Sequence, residues 1–361
     1  MDGHEVISAA ARNACFCDSV ANATQNEGAP REPIPARGSV LPRSADIEDM
    51  TDRIKGILSP VLTPFKSGYV PDAERFVSHC RWLLANDVSL AVFGTNSEAN
   101  SLSENERIDL LERLVEAGID PRRLMPGTGC CSVPATVRLT SHAVKLGCAG
   151  VLMLPPFYYK GVTDEGLYRS FAETIERVGD KRLRIYLYHI PPVAQVGISL
   201  SLIDRLLKAY PGTIAGMKDS SGDWSNTKAV LDQFSQAGFD VFVGSETFLL
   251  ANMRNGGAGT ISATANVNPA AIHKLYVEYR GGKLTASPTE LEDQQQRLNV
   301  VRDLFGNYPM IAALKHAVAI YTNDPAWAKV RPPLVELTAE QAKTLFSELK
   351  ALSFTMPGLE K

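Results

Sequence analysis

The chain holds no C-x-x-C pair, although it has six cysteines, Cys15, Cys17, Cys80, Cys130, Cys131 and Cys148. A chain of 361 residues can bury a core without disulfide staples, so reduced thiols and a cytoplasmic setting are expected. The six histidines show no pair spaced to share a helix face with a carboxylate, so no metal site is expected. No apolar run approaches the roughly 20 residues that a membrane-spanning helix requires. Basic charge is not in excess either. A formal net charge of -3 gives no field for nucleic acid or anionic lipid, and neither partner is expected. Gly127-Thr-Gly129-Cys-Cys-Ser132 lacks the third glycine of a dinucleotide-binding loop.

Residues 1–53 are polar, Pro-rich and without periodicity, and read as a disordered extension. Acidic Asp2 and Glu5 stand where a signal peptide would be basic, and acids among the arginines weaken a transit-peptide reading. Met50 offers an alternative start, directly before the first strand-like run.

From Ile54 onward, short Val/Ile/Leu-rich runs alternate with longer runs of helical period. Strands are predicted near Gly56 to Leu62, Ser89 to Phe93, Leu124 to Gly127, Gly150 to Leu154, Arg184 to Tyr188, Ile214 to Lys218, Val241 to Gly244 and Gly259 to Ser262. Eight such strands with helices between them predict an α/β fold, a (β/α)8 TIM barrel over 54–280. A doubly wound open sheet is the alternative. Ser103 with Glu106, and Thr163, look like helix starts. Helical runs near Pro269 to Tyr279, Glu290 to Phe305, Met310 to Tyr321 and Thr338 to Leu352 exceed what a barrel needs, so 281–361 is predicted to be a C-terminal helical extension.

In such a barrel, chemistry gathers where the strands end. Lys218 closes an apolar strand with one primary amine, in the run Gly-Met-Lys-Asp-Ser-Ser-Gly-Asp from Gly216 to Asp223. An amine at the mouth of an apolar pocket can attack a ketone to form an imine, because burial disfavours the ammonium form of a lysine. The bland reading is a surface lysine. Nearby strand ends carry Thr95, Asn96, Tyr158, Tyr159, Tyr188, His189 and Glu246. Each has an ordinary alternative: Thr95 and Asn96 as helix caps, the tyrosines as packing aromatics. His189 reads as structural, since it and Tyr188 point to opposite faces of one strand. Hydroxyls gathered around an amine, however, make a coherent imine site.

These runs resemble the N-acetylneuraminate lyase and dihydrodipicolinate synthase family of pyruvate-dependent class I aldolases, over about Ile54 to Leu352. Gly56-Ile-Leu-Ser-Pro-Val-Leu-Thr-Pro-Phe65 resembles that family's first strand, Gly94-Thr-Asn-Ser-Glu98 its G-T-T-G-E loop, Pro155 to Tyr159 its P-x-Y-Y segment and Gly216 to Asp223 its Schiff-base motif. Gly256 to Asn266 and Arg331-Pro-Pro-Leu-Val335 are further matches. The resemblance implies that Lys218 condenses with pyruvate or another 2-oxo acid and that Tyr188 is the general acid and base. It also implies that Thr95 relays protons between Tyr188 and a Tyr159 from a neighbouring subunit. Thr95 and Asn96 would hold the substrate carboxylate, and Glu246 and Ser262 complete the substrate-binding candidates. A homotetramer arranged as a dimer of dimers is implied, with no cofactor and an aldehyde as second substrate.

Two departures narrow this reading. Val193 falls where synthases that use aspartate semialdehyde carry arginine, which removes a bidentate carboxylate clamp. Asn96 in the loop, Cys130 before Ser132 and Met217 before Lys218 resemble 4-hydroxy-2-oxoglutarate aldolases. The single acid Glu246 after the seventh strand suits a short hydroxylated tail. An aldolase acting on 4-hydroxy-2-oxoglutarate or a 2-keto-3-deoxy sugar acid is therefore favoured. The alternatives are 4-hydroxy-tetrahydrodipicolinate synthase, a 2-keto-3-deoxy acid dehydratase, or a non-catalytic 2-oxo-acid-binding protein on the same barrel.

Overall fold

A computed structural model describes residues 53–280 and 286–359. The extension expected before residue 54 lies outside the described residues, apart from Arg53. The strands are β1 (Gly56–Ser59), β2 (Ser89–Leu90), β3 (Val151–Met153), β4 (Ile185–His189), β5 (Ile214–Asp219), β6 (Asp240–Val243) and β7 (Gly259–Ile261), in the order β2-β1-β7-β6-β5-β4-β3. Each pairs with its neighbours in parallel. The gap between β2 and β3 is closed by residues 124–127, which bridge Leu90 to Leu124 and Gly127 to Leu152. Main-chain bonds from Met125 N–H to the Leu90 carbonyl and from Leu152 N–H to the Pro126 carbonyl complete the ring. The fold is a (β/α)8 barrel. β1, β2 and β7 stop short of their apolar runs, because pairing ends before the apolar residues do, whereas β5 runs one residue past its own.

The helices are α1 (Ala73–Ala85), α2 (Glu104–Glu116), α3 (Val133–Leu146), α4 (Asp164–Val178), α5 (Pro191–Ala194), α6 (Leu200–Ala209), α7 (Trp224–Phe234), α8 (Leu249–Arg254) and α9 (Pro269–Arg280). Beyond them lie α10 (Pro288–Gly306), α11 (Met310–Tyr321) and α12 (Ala339–Ala351), the C-terminal helices. Ser103 and Glu106 form a reciprocal capping box at α2, and Thr163 caps α4, as their sequence positions predict.

Strand alternation sorts the core. Leu58, Met125, Leu152, Tyr186, Tyr188 and Phe242 pack together inside the barrel. Leu187 and Met217 join the larger cluster between strands and helices. Lys218 follows Met217, so its side chain shares the inner face with Tyr188. Asn266 stitches the ring behind β1: its Oδ1 accepts the Leu62 N–H, and its Nδ2 donates to the Pro60 and Ala263 carbonyls.

The strand that carries Lys218 admits no side chain two residues earlier. A Cβ on Gly216 would sit 2.1 Å from the Asp240 carbonyl oxygen, which is main chain and cannot swing away. Gly216→Ala is expected to cost about 1–3 kcal/mol of stability through overpacking. Its thermal midpoint against that of the parent checks this.

Candidate active site

Tyr188 and Lys218 face each other across the β4–β5 ladder. Lys218 Nζ donates to Tyr188 Oη at 3.3 Å and lies 4.4 Å from the centre of that ring. The same phenol oxygen is 3.1 Å from Thr95 Oγ1. Lys218 and Tyr188 are each only 2% exposed, so the amine and phenol are buried inside the barrel, and the half-buried Thr95 hydroxyl continues the chain outward. An amine in this position can add to a carbonyl, and a phenol within hydrogen-bond reach can move the protons that imine formation requires.

Thr95 stands on the loop after β2, and it does not cap the next helix, because Ser103 does. The loop is held from both sides. Thr63 Oγ1 donates to the Ser97 carbonyl at 2.7 Å, and Gly94 N–H donates to Ser97 Oγ at 3.2 Å. Among the described residues, no hydrogen bond occupies the Thr95 or Asn96 N–H, while Ser97 and Glu98 N–H turn back to Gly94 and Thr95. Two free N–H groups beside two side-chain donors suit an anion such as a carboxylate.

Residues 53–352 match the dihydrodipicolinate synthetase family. A DapA-like lyase of Chloroflexus aurantiacus, itself uncharacterised, is 33% identical over 81% of this chain and 94% of its own. The 4-hydroxy-tetrahydrodipicolinate synthase of Rhizobium meliloti is 30% identical over 73% of this chain and 87% of its own. The crystal structure of dihydrodipicolinate synthase from Agrobacterium tumefaciens superposes with a TM-score of 0.74 at 31% identity, covering 83% of this chain and 99% of that one. The chain belongs to the dihydrodipicolinate synthetase family. It is accordingly an enzyme, a carbon–carbon lyase of the pyruvate-dependent, Schiff-base-forming kind.

Other candidates fall at different distances from this centre. His189, one residue past Tyr188, is buried, and its Nδ1 accepts the Ile198 N–H at 3.0 Å. Burial pulls its imidazole below the usual range, against the pull of Asp219. That is a structural histidine on the outer face of the strand. Glu246 and Ser262 are joined in a separate cluster. The Glu246 carboxylate accepts the hydroxyls of Ser262 and Thr264 and is 1% exposed, and among the described residues no hydrogen bond joins it to Lys218, Tyr188 or Thr95. Gln295 of α10 grips the same segment by donating to the Glu246 carbonyl. Ile261 points into the barrel, so its neighbour Ser262 points away from the axis. For either residue to meet a substrate, these bonds would have to be exchanged.

Tyr159 stands outside the pocket of this dihydrodipicolinate synthetase family member. It is 69% exposed and packs edge-on against Tyr158. Lys160 fastens their loop by donating to the Phe157 and Ala194 carbonyls. No hydrogen bond within the chain joins Tyr159 to Thr95 among the described residues. Among those residues, no cluster of three His, Cys, Asp or Glu could hold a metal ion, and no helix is long and apolar enough to cross a membrane. Sequence reading did not single out Lys315, a side chain with no solvent exposure that is bonded to Glu98. A lone lysine inside the apolar run Met-Ile-Ala-Ala-Leu-Lys-His-Ala-Val was the available signal.

Proposed function

We propose that the chain is an aldolase joining or separating pyruvate and an aldehyde, with 4-hydroxy-2-oxoglutarate or a 2-keto-3-deoxy sugar acid as the substrate cleaved. The observation that carries this reading is the chain of contacts from Lys218 Nζ through Tyr188 Oη to Thr95 Oγ1. In condensation, the neutral Lys218 amine attacks C2 of pyruvate, and the former ketone oxygen leaves as water once Tyr188 has moved protons to it. The product is an imine. Loss of a C3 proton sends that bond pair into the imine, and the resulting enamine carbon attacks the aldehyde carbon while the aldehyde oxygen takes up a proton. Hydrolysis of the new imine returns Lys218. Cleavage runs the same steps backwards, with Tyr188 accepting the proton of the substrate hydroxyl. The Thr95 and Asn96 N–H groups hold the carboxylate throughout.

The exposed Tyr158–Tyr159 pair supports assembly with a second copy, from which Tyr159 would extend the relay to Thr95. A homotetramer follows from the family resemblance, since closed symmetry is usual for homo-oligomers. Cys80, Cys130, Cys131 and Cys148 are all free, which supports a cytoplasmic setting.

The name of the Rhizobium meliloti relative favours a second reading, 4-hydroxy-tetrahydrodipicolinate synthase. Val193 weighs against it. That side chain is 62% exposed on α5, where a second carboxylate would require a guanidinium. The deciding assay offers 4-hydroxy-2-oxoglutarate and a set of 2-keto-3-deoxy sugar acids and measures pyruvate release. In parallel, it offers pyruvate with aspartate semialdehyde and follows pyruvate consumption. Release from one of the former supports the aldolase. Consumption with aspartate semialdehyde alone establishes the synthase and overturns the proposal.

A further inference from the structure

Glu98 lies three residues beyond Thr95, and its carboxylate is completely enclosed. One oxygen accepts from Lys315 Nζ of α11, and the other accepts the Arg331 N–H at 2.8 Å. These partners are 217 and 233 residues away in sequence and belong to the C-terminal part of the chain. Lys315 also donates to the Lys329 carbonyl at 2.8 Å and lies 4.3 Å from the centre of the Phe65 ring. The Arg331 guanidinium covers the same ring at 4.7 Å and reaches the Ser101 carbonyl and the Glu106 carboxylate of the α2 capping box. Two cations, two carboxylates and one aromatic ring thus clamp the loop that bears Thr95.

Stability alone does not explain a buried pair of this kind. Desolvation cancels most of its attraction, and well-packed apolar side chains of the same size often serve as well or better. What a charged pair adds is a single allowed geometry. Here that geometry is imposed on a residue with φ of 56°, a left-handed conformation that glutamate rarely adopts and that persists only where its surroundings enforce it. Glu98 N–H also donates to the Thr95 carbonyl at 3.1 Å, so the backbone turn fixed at Glu98 is the turn that presents Thr95.

We propose that Glu98, clamped by Lys315 and Arg331, is a positioning residue for Thr95, so that the C-terminal helices set the alignment of the hydroxyls around Lys218. This rests on the reading of Thr95 and Tyr188 as the proton-handling pair. Lys315 itself is no second nucleophile, because it has no exposed side-chain surface.

The test needs only pyruvate. Exchange of its methyl protons with deuterated solvent, followed by NMR, reports passage from imine to enamine without any aldehyde. Parent, Lys315→Met, Glu98→Gln and the neutral double variant Glu98→Gln/Lys315→Met are compared well below the lowest of their melting temperatures. Each is also treated with borohydride and pyruvate. Lys315→Met is expected to melt lower, because it strands a buried carboxylate, and to exchange protons roughly 10- to 100-fold more slowly, the size of effect that small misplacements cause. Its apparent KM for pyruvate should rise as well, since the Thr95 and Asn96 N–H groups that hold the carboxylate move with the loop. The double variant should recover much of the melting temperature but not the exchange rate. Recovery of both together would reduce the pair to a stability element and overturn the proposal. So would a parent-like exchange rate in folded Lys315→Met. If borohydride traps no pyruvate on the parent, the reading of the Lys218 site fails instead, and the proposal falls with it.

Discussion

Lys218→Ala is expected to lose catalysis by at least roughly 10⁴-fold, with no borohydride-trapped pyruvate at any incubation time, because the covalent step has no other amine to carry it. The parent, treated identically, should gain about 72 Da, the mass of a reduced pyruvyl adduct. The geometry makes this a demanding test. Lys218 sits inside the barrel, 2% exposed, with its Nζ against Tyr188 Oη, so trapping on the intact protein must find a buried amine while surface lysines go unmodified. Among the described residues, Lys315 is the other deeply buried lysine, and burial brings its ammonium down to about 8, against the opposing pull of Glu98. Solvent exclusion and the salt bridge keep it from pyruvate. Peptide mapping of the trapped parent should therefore place the adduct on Lys218 alone. A trapped adduct on Lys218→Ala at the parental level would assign the nucleophile elsewhere.

The barrel was legible because each strand is a short apolar run and each helix a longer periodic one, a difference that survives without any tertiary information. The last barrel helix and the C-terminal helices were legible for the same reason: the runs at Pro269, Glu290, Met310 and Thr338 appear within a residue or two of the observed α9, α10, α11 and α12. Strand lengths were not, since apolar residues continue past the last paired position, as in Gly56 to Leu62, of which only Gly56–Ser59 pairs. Within the site, Lys218, Tyr188 and Thr95 stood out by motif, but the register that sets Tyr188 opposite Lys218 depends on how the ring closes. Glu246 and Ser262 show how little it takes to redirect a candidate. A shift of one residue in a strand reverses the face, and Ser262 follows inward-pointing Ile261. Alternation could have flagged Ser262; nothing local could have shown that Glu246 would spend both oxygens on Ser262 and Thr264. The clamp on Glu98 was hidden for a related reason, since Lys315 is visible as an oddity in an apolar helix while its partner lies 217 residues earlier.

Tyr188→Phe separates positioning from chemistry, because it removes one oxygen and leaves the ring. Among the described residues, that oxygen is the only atom bonded to both Lys218 Nζ and Thr95 Oγ1. Its removal should slow deuterium exchange into pyruvate by roughly 10²- to 10⁴-fold, the range expected for a lost general acid–base group. The fold should tolerate the change. The ring remains packed in the barrel interior, and only two hydrogen bonds, to Lys218 and Thr95, are cut. In contrast to Lys218→Ala, the phenylalanine variant should still trap pyruvate on long incubation, because the nucleophile is present and only its proton transfers are impaired. The ratio of the two effects is informative. If trapping falls as far as exchange, Tyr188 serves imine formation first and foremost, at the carbinolamine. If trapping is nearly parental while exchange collapses, its main task is the C3 proton, and the Thr95 hydroxyl becomes the outlet through which that proton leaves. A phenylalanine variant that exchanges at the parental rate would remove Tyr188 from the mechanism and leave Lys218 to act with solvent alone.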